Sequence, residues 1–138
     1  MKKIRVVFDT NILVSAWFWS GTESSLVELA EDGAIEAYTS PRLLVELRRT
    51  LEYPKFKLEQ TEIDGICDYY TLVLKIVEPK RTVSVITEDP EDNRAIECAA
   101  EARAHYIVSG NHHLLDLKQY ENIKIVRARE MLEELTKK

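Results

Sequence analysis

The sequence has little cysteine, and its two cysteines show no pattern. Cys67 and Cys98 lie far apart, without the paired spacing of a metal site or a disulfide framework. We therefore expect each to be a small buried side chain, and we expect a reducing, cytoplasmic location.

Long hydrophobic runs are also absent, since no stretch approaches the roughly 18 apolar residues of a membrane span. The basic start Met-Lys-Lys-Ile-Arg leads into an apolar run that stops at Asp9, which favours a first strand over a signal peptide. With no repeat or linker, residues 1–138 are predicted to form a single domain. The 45% hydrophobic and 31% charged residues are typical of a compact soluble protein without membrane contact.

Positive charge is scarce, and the net charge of -5 argues against binding of nucleic acid by the whole surface. The basic residues are unevenly distributed, because five of them crowd into one short segment: Arg42, Arg48, Arg49, Lys55 and Lys57. This segment is either a solvated helix face or a rim that contacts a phosphate backbone.

The most informative stretch is the apolar run from Ile4 to Phe8, which ends abruptly at Asp9-Thr10-Asn11. A run that is apolar on both faces predicts a strand in the middle of a parallel sheet. Asp9 then lies at the carboxyl end of that strand, where α/β proteins bind their ligands.

Further strands and helices alternate along the chain, which predicts an α/β protein with a mainly parallel sheet and helices on both faces. The predicted strands cover 35–39, 106–109 and 123–126, with an irregular one near 83–86. The predicted helices begin near Asn11, Ser25, Ser40, Thr61, Asp89, His112 and Ala128.

Four polar residues are predicted to meet at one edge of this sheet. Asp9 ends the first strand and Asn111 follows a later one. Glu46 lies in the second turn of its helix, and Asp92 lies in the first turn of its helix. Asp92 tops the apolar face of its helix, whereas Asp89 has the simpler role of an N-cap.

Three carboxylates brought together would repel one another, so one would take up a proton unless a cation were bound. Oxygen ligands of this kind suit Mg²⁺ or Mn²⁺. Such a site suits hydrolysis of phosphodiester bonds, which a net acidic protein can perform by recruiting phosphate through bound cations.

Four motifs in this order resemble the PIN domain family over nearly the whole chain. They are Val7-Phe8-Asp9-Thr10-Asn11-Ile12-Leu13, Leu44-Val45-Glu46-Leu47, Asp89-Pro90-Glu91-Asp92-Asn93 and Ile107-Val108-Ser109-Gly110-Asn111. The resemblance is strongest to VapC-like ribonucleases, the toxins of toxin–antitoxin pairs. It implies a three-layer α/β/α sandwich and a Mg²⁺- or Mn²⁺-dependent ribonuclease.

The resemblance also implies roles for individual residues. Asp9, Glu46 and Asp92 match the catalytic, metal-binding acids, and Ser109 matches a hydroxyl that helps to hold the site. Thr10 or Asn11 is expected to support Asp9 by hydrogen bonding.

Asn111 departs from the family pattern, which usually has Asp there. As a fourth metal ligand, Asn111 offers one neutral oxygen, which should weaken a second metal site while leaving the first. Asp116 is either a replacement carboxylate or an ordinary surface residue.

Basic and aromatic residues around this edge are candidates for contact with substrate. The candidates for substrate binding are Arg42, Arg48, Arg49, Arg94 and His112. His112 and His113 are either phosphate contacts, proton donors, ligands of a softer metal or exposed loop residues. Trp17 and Trp19 lie in a short loop, where they pack under a helix, form a dimer contact or stack on nucleotides.

The leading hypothesis is a metal-dependent endoribonuclease that acts on RNA, forms a homodimer and has a cognate antitoxin. The alternative is a non-catalytic RNA-binding or regulatory module of the same fold, which Asn111 favours. A third hypothesis is a phosphatase, since Phe8-Asp9-Thr10 resembles the nucleophile strand of haloacid-dehalogenase-like enzymes. Asn11 argues against it, because that family has a second Asp at this position.

Overall fold

The computed structural model describes residues 2–137, which form a six-stranded sheet flanked by helices. The strands are β1 (Arg5–Phe8), β2 (Glu36–Thr39), β3 (Lys75–Ile76), β4 (Tyr106–Val108), β5 (Gln119–Tyr120) and β6 (Ile123–Val126). The α-helices are α1 (Thr10–Phe18), α2 (Thr22–Glu31), α3 (Pro41–Leu51), α4 (Gln60–Val73), α5 (Asn93–Ala102), α6 (His112–Leu117) and α7 (Ala128–Thr136). Short 3-10 helices cover Pro54–Phe56 and Pro90–Asp92.

The sheet has the strand order β3-β2-β1-β4-β6-β5. All neighbouring pairs are parallel except β5 and β6, which form an antiparallel edge. The chain moves from β1 to β2 on one side and later places β4 on the other, so the carboxyl end of β1 lies at a switch in strand order. Such a switch opens a crevice for ligands at that edge.

Alternating residues of β1 belong to two hydrophobic cores. Val6 and Phe8 pack into a core that contains apolar residues of α1, α2, α4 and α7. Val7 packs into the other, with residues of α5, β4 and β6. Helices therefore cover both faces, which confirms the predicted three-layer α/β/α class and explains why this strand is apolar throughout.

Residues 83–86 do not form the irregular strand that the sequence predicts. Val83 and Ile86 are buried, but side chains of α5 satisfy their backbone groups. The amide of Val83 donates to Glu97, and Asn93 both accepts from the amide of Ile86 and donates to its carbonyl. The prediction is wrong because side chains supply the hydrogen bonds that a neighbouring strand would supply.

Two helix starts also differ from the sequence prediction. Helix α2 begins at Thr22, where Ser24 bonds the backbone of Gly21, and not at Ser25. The helix predicted from Asp89 begins as a 3-10 turn and becomes α-helical only at Asn93. Asp89 does act as the predicted N-cap, because its carboxylate accepts from the amide of Glu91.

Within residues 2–137, no helix is both long enough and apolar enough to cross a membrane. Cys67 and Cys98 are buried free thiols, as the sequence predicts.

Candidate active site

Asp9 lies where β1 ends and caps the N-terminus of α1. One carboxylate oxygen accepts from the amide of Thr10 at 2.9 Å, and the other accepts from the Ser109 hydroxyl at 2.8 Å. Burial raises the pKa of Asp9, and these two hydrogen bonds oppose the rise without cancelling it. The strand thus holds a fixed carboxylate in a place where negative charge is costly.

Glu46 lies in the second turn of α3, which starts with Ser40 as N-cap and Pro41 at its first position. Its carboxylate accepts from the Thr10 hydroxyl at 2.5 Å. Burial raises the pKa of Glu46, and the nearby charge of Asp9 raises it further, against the effect of the Thr10 bond. Thr10 therefore connects two carboxylates, donating its amide to Asp9 and its hydroxyl to Glu46.

Asp92 ends the 3-10 turn before α5 and has a different set of partners. The side-chain amide of Asn111 donates to one of its oxygens at 2.8 Å, and Nδ1 of His113 lies 3.0 Å from the other. The Asn111 side-chain oxygen accepts from the amide of His113, so Asn111 also caps α6. Asn111 thereby orients the carboxylate of Asp92 through its side-chain NH₂ group.

The carboxylates of Asp9, Glu46 and Asp92 line a single cleft of about 310 Å³ at the carboxyl edge of the sheet. Other residues that line it are Thr10, Asn11, Arg49, Thr50, Tyr53, Asp89, Glu91 and Asn111. The structure thus brings together the four residues that the sequence predicted as metal ligands. Ser109, expected to help to hold the site, donates its hydroxyl to Asp9. Of the pair Thr10 and Asn11, it is Thr10 that bonds Asp9, through its backbone amide.

The cleft offers a hard divalent cation the ligands it prefers, because its lining includes several carboxylate and amide oxygens. As the side chains lie, however, no group of three or more His, Cys, Asp or Glu within residues 2–137 could hold a metal ion. Asp92 contributes to this, since both of its oxygens are engaged by Asn111 and His113. The metal-binding roles of Asp9, Glu46, Asp92 and Asn111 therefore stay predictions.

The predicted substrate-binding arginines have different surroundings. Arg49 lines the acidic cleft, and Arg42 lies at its edge, paired with Glu91 at 3.2 Å. Arg48 instead pairs with Asp64 of α4 at 2.8 Å. Arg94 is largely buried and bonded to Glu97 at 2.7 Å, so its environment is that of a structural residue.

The two histidines also differ. His112 is exposed, whereas His113 contacts Asp92 and belongs to the site. Both histidines were possible site residues from sequence, but only His112 was named among the candidates for substrate binding. The available signal was Asn111 as an N-cap, because a residue two positions after the cap has its amide directed back to the cap side chain.

Fold and site together define a class: three-layer α/β/α proteins with carboxylates from separate segments in a cleft at the carboxyl edge of a parallel sheet. The family model described as PIN domain matches residues 5–113. The chain therefore belongs to the PIN domain family. PIN domains are generally nucleases, and such nucleases generally use divalent metals.

Two further similarities extend over most of the chain. An uncharacterized protein of Methanocaldococcus jannaschii is 29% identical over 147 aligned residues, which cover 98% of this chain and 94% of that protein. A crystal structure of VapBC2 from Rickettsia felis, bound to a DNA fragment from their promoter, matches with a TM-score of 0.63 and 18% identity. That match covers 88% of this chain and 97% of the other, and it shows a shared fold.

Proposed function

We propose that this protein is a metal-dependent endoribonuclease that hydrolyses phosphodiester bonds of RNA. The observation that carries the proposal is the meeting of Asp9, Glu46 and Asp92, from three distant segments, in one cleft. A structural role does not require three carboxylates here, since burial and mutual repulsion disfavour their charged forms at Asp9 and Glu46.

Asp9, Glu46 and Asp92 would hold Mg²⁺ or Mn²⁺, with Asn111 as a weaker fourth donor. A bound ion would supply neutralisation of the phosphate and activation of a water molecule. Ser109 and Thr10 fix the orientations of Asp9 and Glu46, so the first two ligands are held in place before substrate arrives. Arg49, which lines the same cleft, is placed to contact a phosphate of the substrate.

We extend the proposal to the biological setting: the toxin of a toxin–antitoxin pair, active as a homodimer and bound by a cognate antitoxin. Membership of the PIN domain family and the fold shared with VapBC2 support this extension. Co-purification of the protein with the product of a neighbouring gene would test it. Monomeric protein that is harmless when overproduced would contradict it.

The decisive experiment combines purified protein, Mn²⁺ and structured and unstructured RNA. We expect cleavage by the wild type and a loss of more than about a hundredfold in Asp9→Asn, since removal of even a residue that supports a metal ligand typically costs 10- to 100-fold. Circular dichroism should show that the variant is folded. Asp116→Asn is the matched control, because Asp116 is an exposed carboxylate outside the residues that line the cleft. The nuclease proposal fails if wild type and Asp9→Asn cut RNA equally, or if neither cuts.

The second candidate is a non-catalytic RNA-binding module, which the orientation of Asn111 favours. Its amide already occupies one oxygen of Asp92, in place of a charge that would help to hold a metal. Calorimetry with Mn²⁺ separates the candidates, because the module predicts RNA binding with no measurable metal binding. Metal binding that Asp9→Asn abolishes would reject the module.

A further inference from the structure

Two grooves flank the end of α1, and Trp19 lies between them. One contains Trp17, with Glu28 and Glu31 of α2 along its wall. The other groove has a volume of about 510 Å³, and we call it the aromatic groove. Its lining includes aromatic rings and one lysine, and consists of Asn11, Val14, Ser15, Phe18, Trp19, Lys55 and Phe56. The two differ in charge, since the aromatic groove contains a cation and no carboxylate.

The rings of the aromatic groove are held in place by one another. Phe18 and Phe56 are stacked, with centroids 5.1 Å apart and planes 5° apart. Phe18 also contacts Trp19 at 5.8 Å, yet 63% of Trp19 remains exposed. A large indole that is supported from behind and open to solvent in front is a surface on which a flat partner can stack.

The aromatic groove runs next to the acidic cleft. Asn11, which follows the Asp9-Thr10 pair, lines both of them. The segment 49–56 also connects them, because Arg49 and Tyr53 line the cleft while Lys55 and Phe56 line the groove. A chain lying in the cleft could therefore continue past Asn11 into the groove.

The aromatic groove, in contrast to the acidic cleft, has a charge that suits a polyanion with flat side groups. Nζ of Lys55 lies 5.2 Å from the centroid of the Phe56 ring, so a cation sits directly beside the aromatic wall. Proteins bind single-stranded nucleic acid with this combination, where rings stack on bases and cations follow the backbone.

We propose that the aromatic groove binds unpaired bases of the RNA on one side of the scissile phosphate. Trp19 is the ring on which a base stacks, and Lys55 contacts the adjoining phosphate. The location relative to the scissile bond rests on the proposed nuclease function. Trp19 is thus a substrate-positioning residue, and it favours cleavage in single-stranded regions.

The first test uses fluorescence, because Trp17 and Trp19 are the two tryptophans of the chain. In the double variant Asp9→Asn, Trp17→Phe, Trp19 is the remaining tryptophan and the RNA stays intact. An oligouridylate of about ten nucleotides should quench its emission, because stacking brings base and indole into contact and sites for single strands span about 4–16 nucleotides. A duplex of the same length should leave the emission nearly unchanged.

The second test uses matched variants in active protein. Trp19→Ala should weaken binding of the oligouridylate about tenfold, since stacking of one base on an aromatic ring contributes that much or more. The loss should appear in KM, with kcat little changed, and Trp19→Phe should restore most of it. Trp17→Ala is the control, because Trp17 packs on Tyr69 and Tyr70 in the other groove, whose wall contains Glu28 and Glu31.

The outcomes separate this proposal from the nuclease proposal. If Trp19→Ala binds and cleaves RNA like the wild type, the base site is rejected and the nuclease stands. If Trp19 is quenched but no RNA is ever cut, the base site stands and the nuclease is rejected. If Trp19→Ala instead turns a dimer into a monomer in size-exclusion chromatography with light scattering, the groove is a subunit interface and the base site is rejected. If RNA neither binds nor is cut, both proposals fail.

Discussion

The acidic cleft has two halves, in which the carboxylates have different kinds of hydrogen-bond partner. In the first half, Asp9 and Glu46 receive hydrogen bonds from neutral groups, the hydroxyls of Ser109 and Thr10 and the amide of Thr10. In the second half, Asp92 faces the side-chain amide of Asn111 and the imidazole of His113. An imidazole can become a cation, whereas a hydroxyl cannot.

This difference indicates which carboxylates a cation bound from solution would stabilise most. Two carboxylates with neutral partners keep their repulsion, and the pKa values of both Asp9 and Glu46 are raised. Both oxygens of Asp92, by contrast, already have side-chain partners within the protein. If the protein binds a divalent ion as proposed, we therefore expect the first half to attract it more strongly, and the second half to determine how many ligands it obtains.

The largest expected change in stability is that of Ser109→Ala, which removes a hydrogen bond from the first half of the cleft. Ser109 is fully buried and donates to Asp9, while its oxygen accepts from the amide of Asn111. Loss of both bonds should lower the free energy of unfolding by about 2–3 kcal/mol, measured by urea denaturation. Ser84→Ala, at an exposed loop position, is the control and should stay within about 0.5 kcal/mol of the wild type. Equal effects in the two variants would show that Ser109 does not hold the site.

Asn111→Asp should make the second half resemble the first. The variant loses the donor to Asp92 and places a second carboxylate there, so the metal-free protein should lose about 1–2 kcal/mol of stability. The same change should strengthen binding of Mn²⁺ about tenfold in calorimetry, because the added oxygen is charged. Asn11→Asp is the matched control, since it adds the same charge at an exposed position of the cleft. Similar gains in both variants would show that general charge matters and the position does not.

The stability of the metal-free protein should depend on pH through Asp9, which belongs to the first half of the cleft. Burial raises the pKa of Asp9 above its ordinary value of 3.8, so the folded protein holds that proton more tightly than the unfolded chain does. Stability should therefore fall as the pH rises from the unfolded pKa through the raised folded pKa, and this contribution should stay constant above it. Asp9→Asn removes this contribution, so the variant should be the more stable protein at neutral pH by a modest margin.

Thermal unfolding from pH 3 to 8 in EDTA would measure this difference. Wild-type and Asp9→Asn curves that run parallel across the acid range would contradict it. Addition of Mn²⁺ should reverse the order, because the ion stabilises the ionised wild-type site and not the amide.

The smallest expected effect is that of His113→Ala, which removes the partner of Asp92 from a partly exposed position. The loss of stability should be about 0.5 kcal/mol, as for a single hydrogen bond at a partly exposed position. Binding of Mn²⁺ should become slightly tighter, because one oxygen of Asp92 is freed. Weaker metal binding in this variant would mean that His113 is itself part of the metal site.

The positions of the site residues could be predicted from sequence because they depend on the ends of strands and helices. The apolar run before Asp9 and the Ser40-Pro41 start of α3 fix where Asp9 and Glu46 lie along the chain. The parallel arrangement then places them at one edge. This inference needs only the pattern of buried residues and the general rule for parallel sheets.

The partners of those residues could not be predicted in the same way. Whether Asn111 directs its oxygen or its amide to Asp92 depends on the cap of α6, and His113 enters the site through that cap. The strand predicted around Val83 was wrong for a related reason. Its apolar pattern predicts burial, but it does not reveal that Glu97 and Asn93 accept hydrogen bonds from its backbone amides. Side-chain hydrogen bonds between distant segments leave no periodic signal in the sequence.

The position of Thr10 has a consequence for energetic coupling. Its amide bonds Asp9 and its hydroxyl bonds Glu46, so a shift of either carboxylate is transmitted to the other through one residue at the start of α1. Substitutions at Asp9 and Glu46 should therefore be non-additive in a double-mutant cycle, and Thr10→Val should remove most of that interaction energy. We therefore expect the two carboxylates to respond as one unit, partly through their direct repulsion and partly through Thr10.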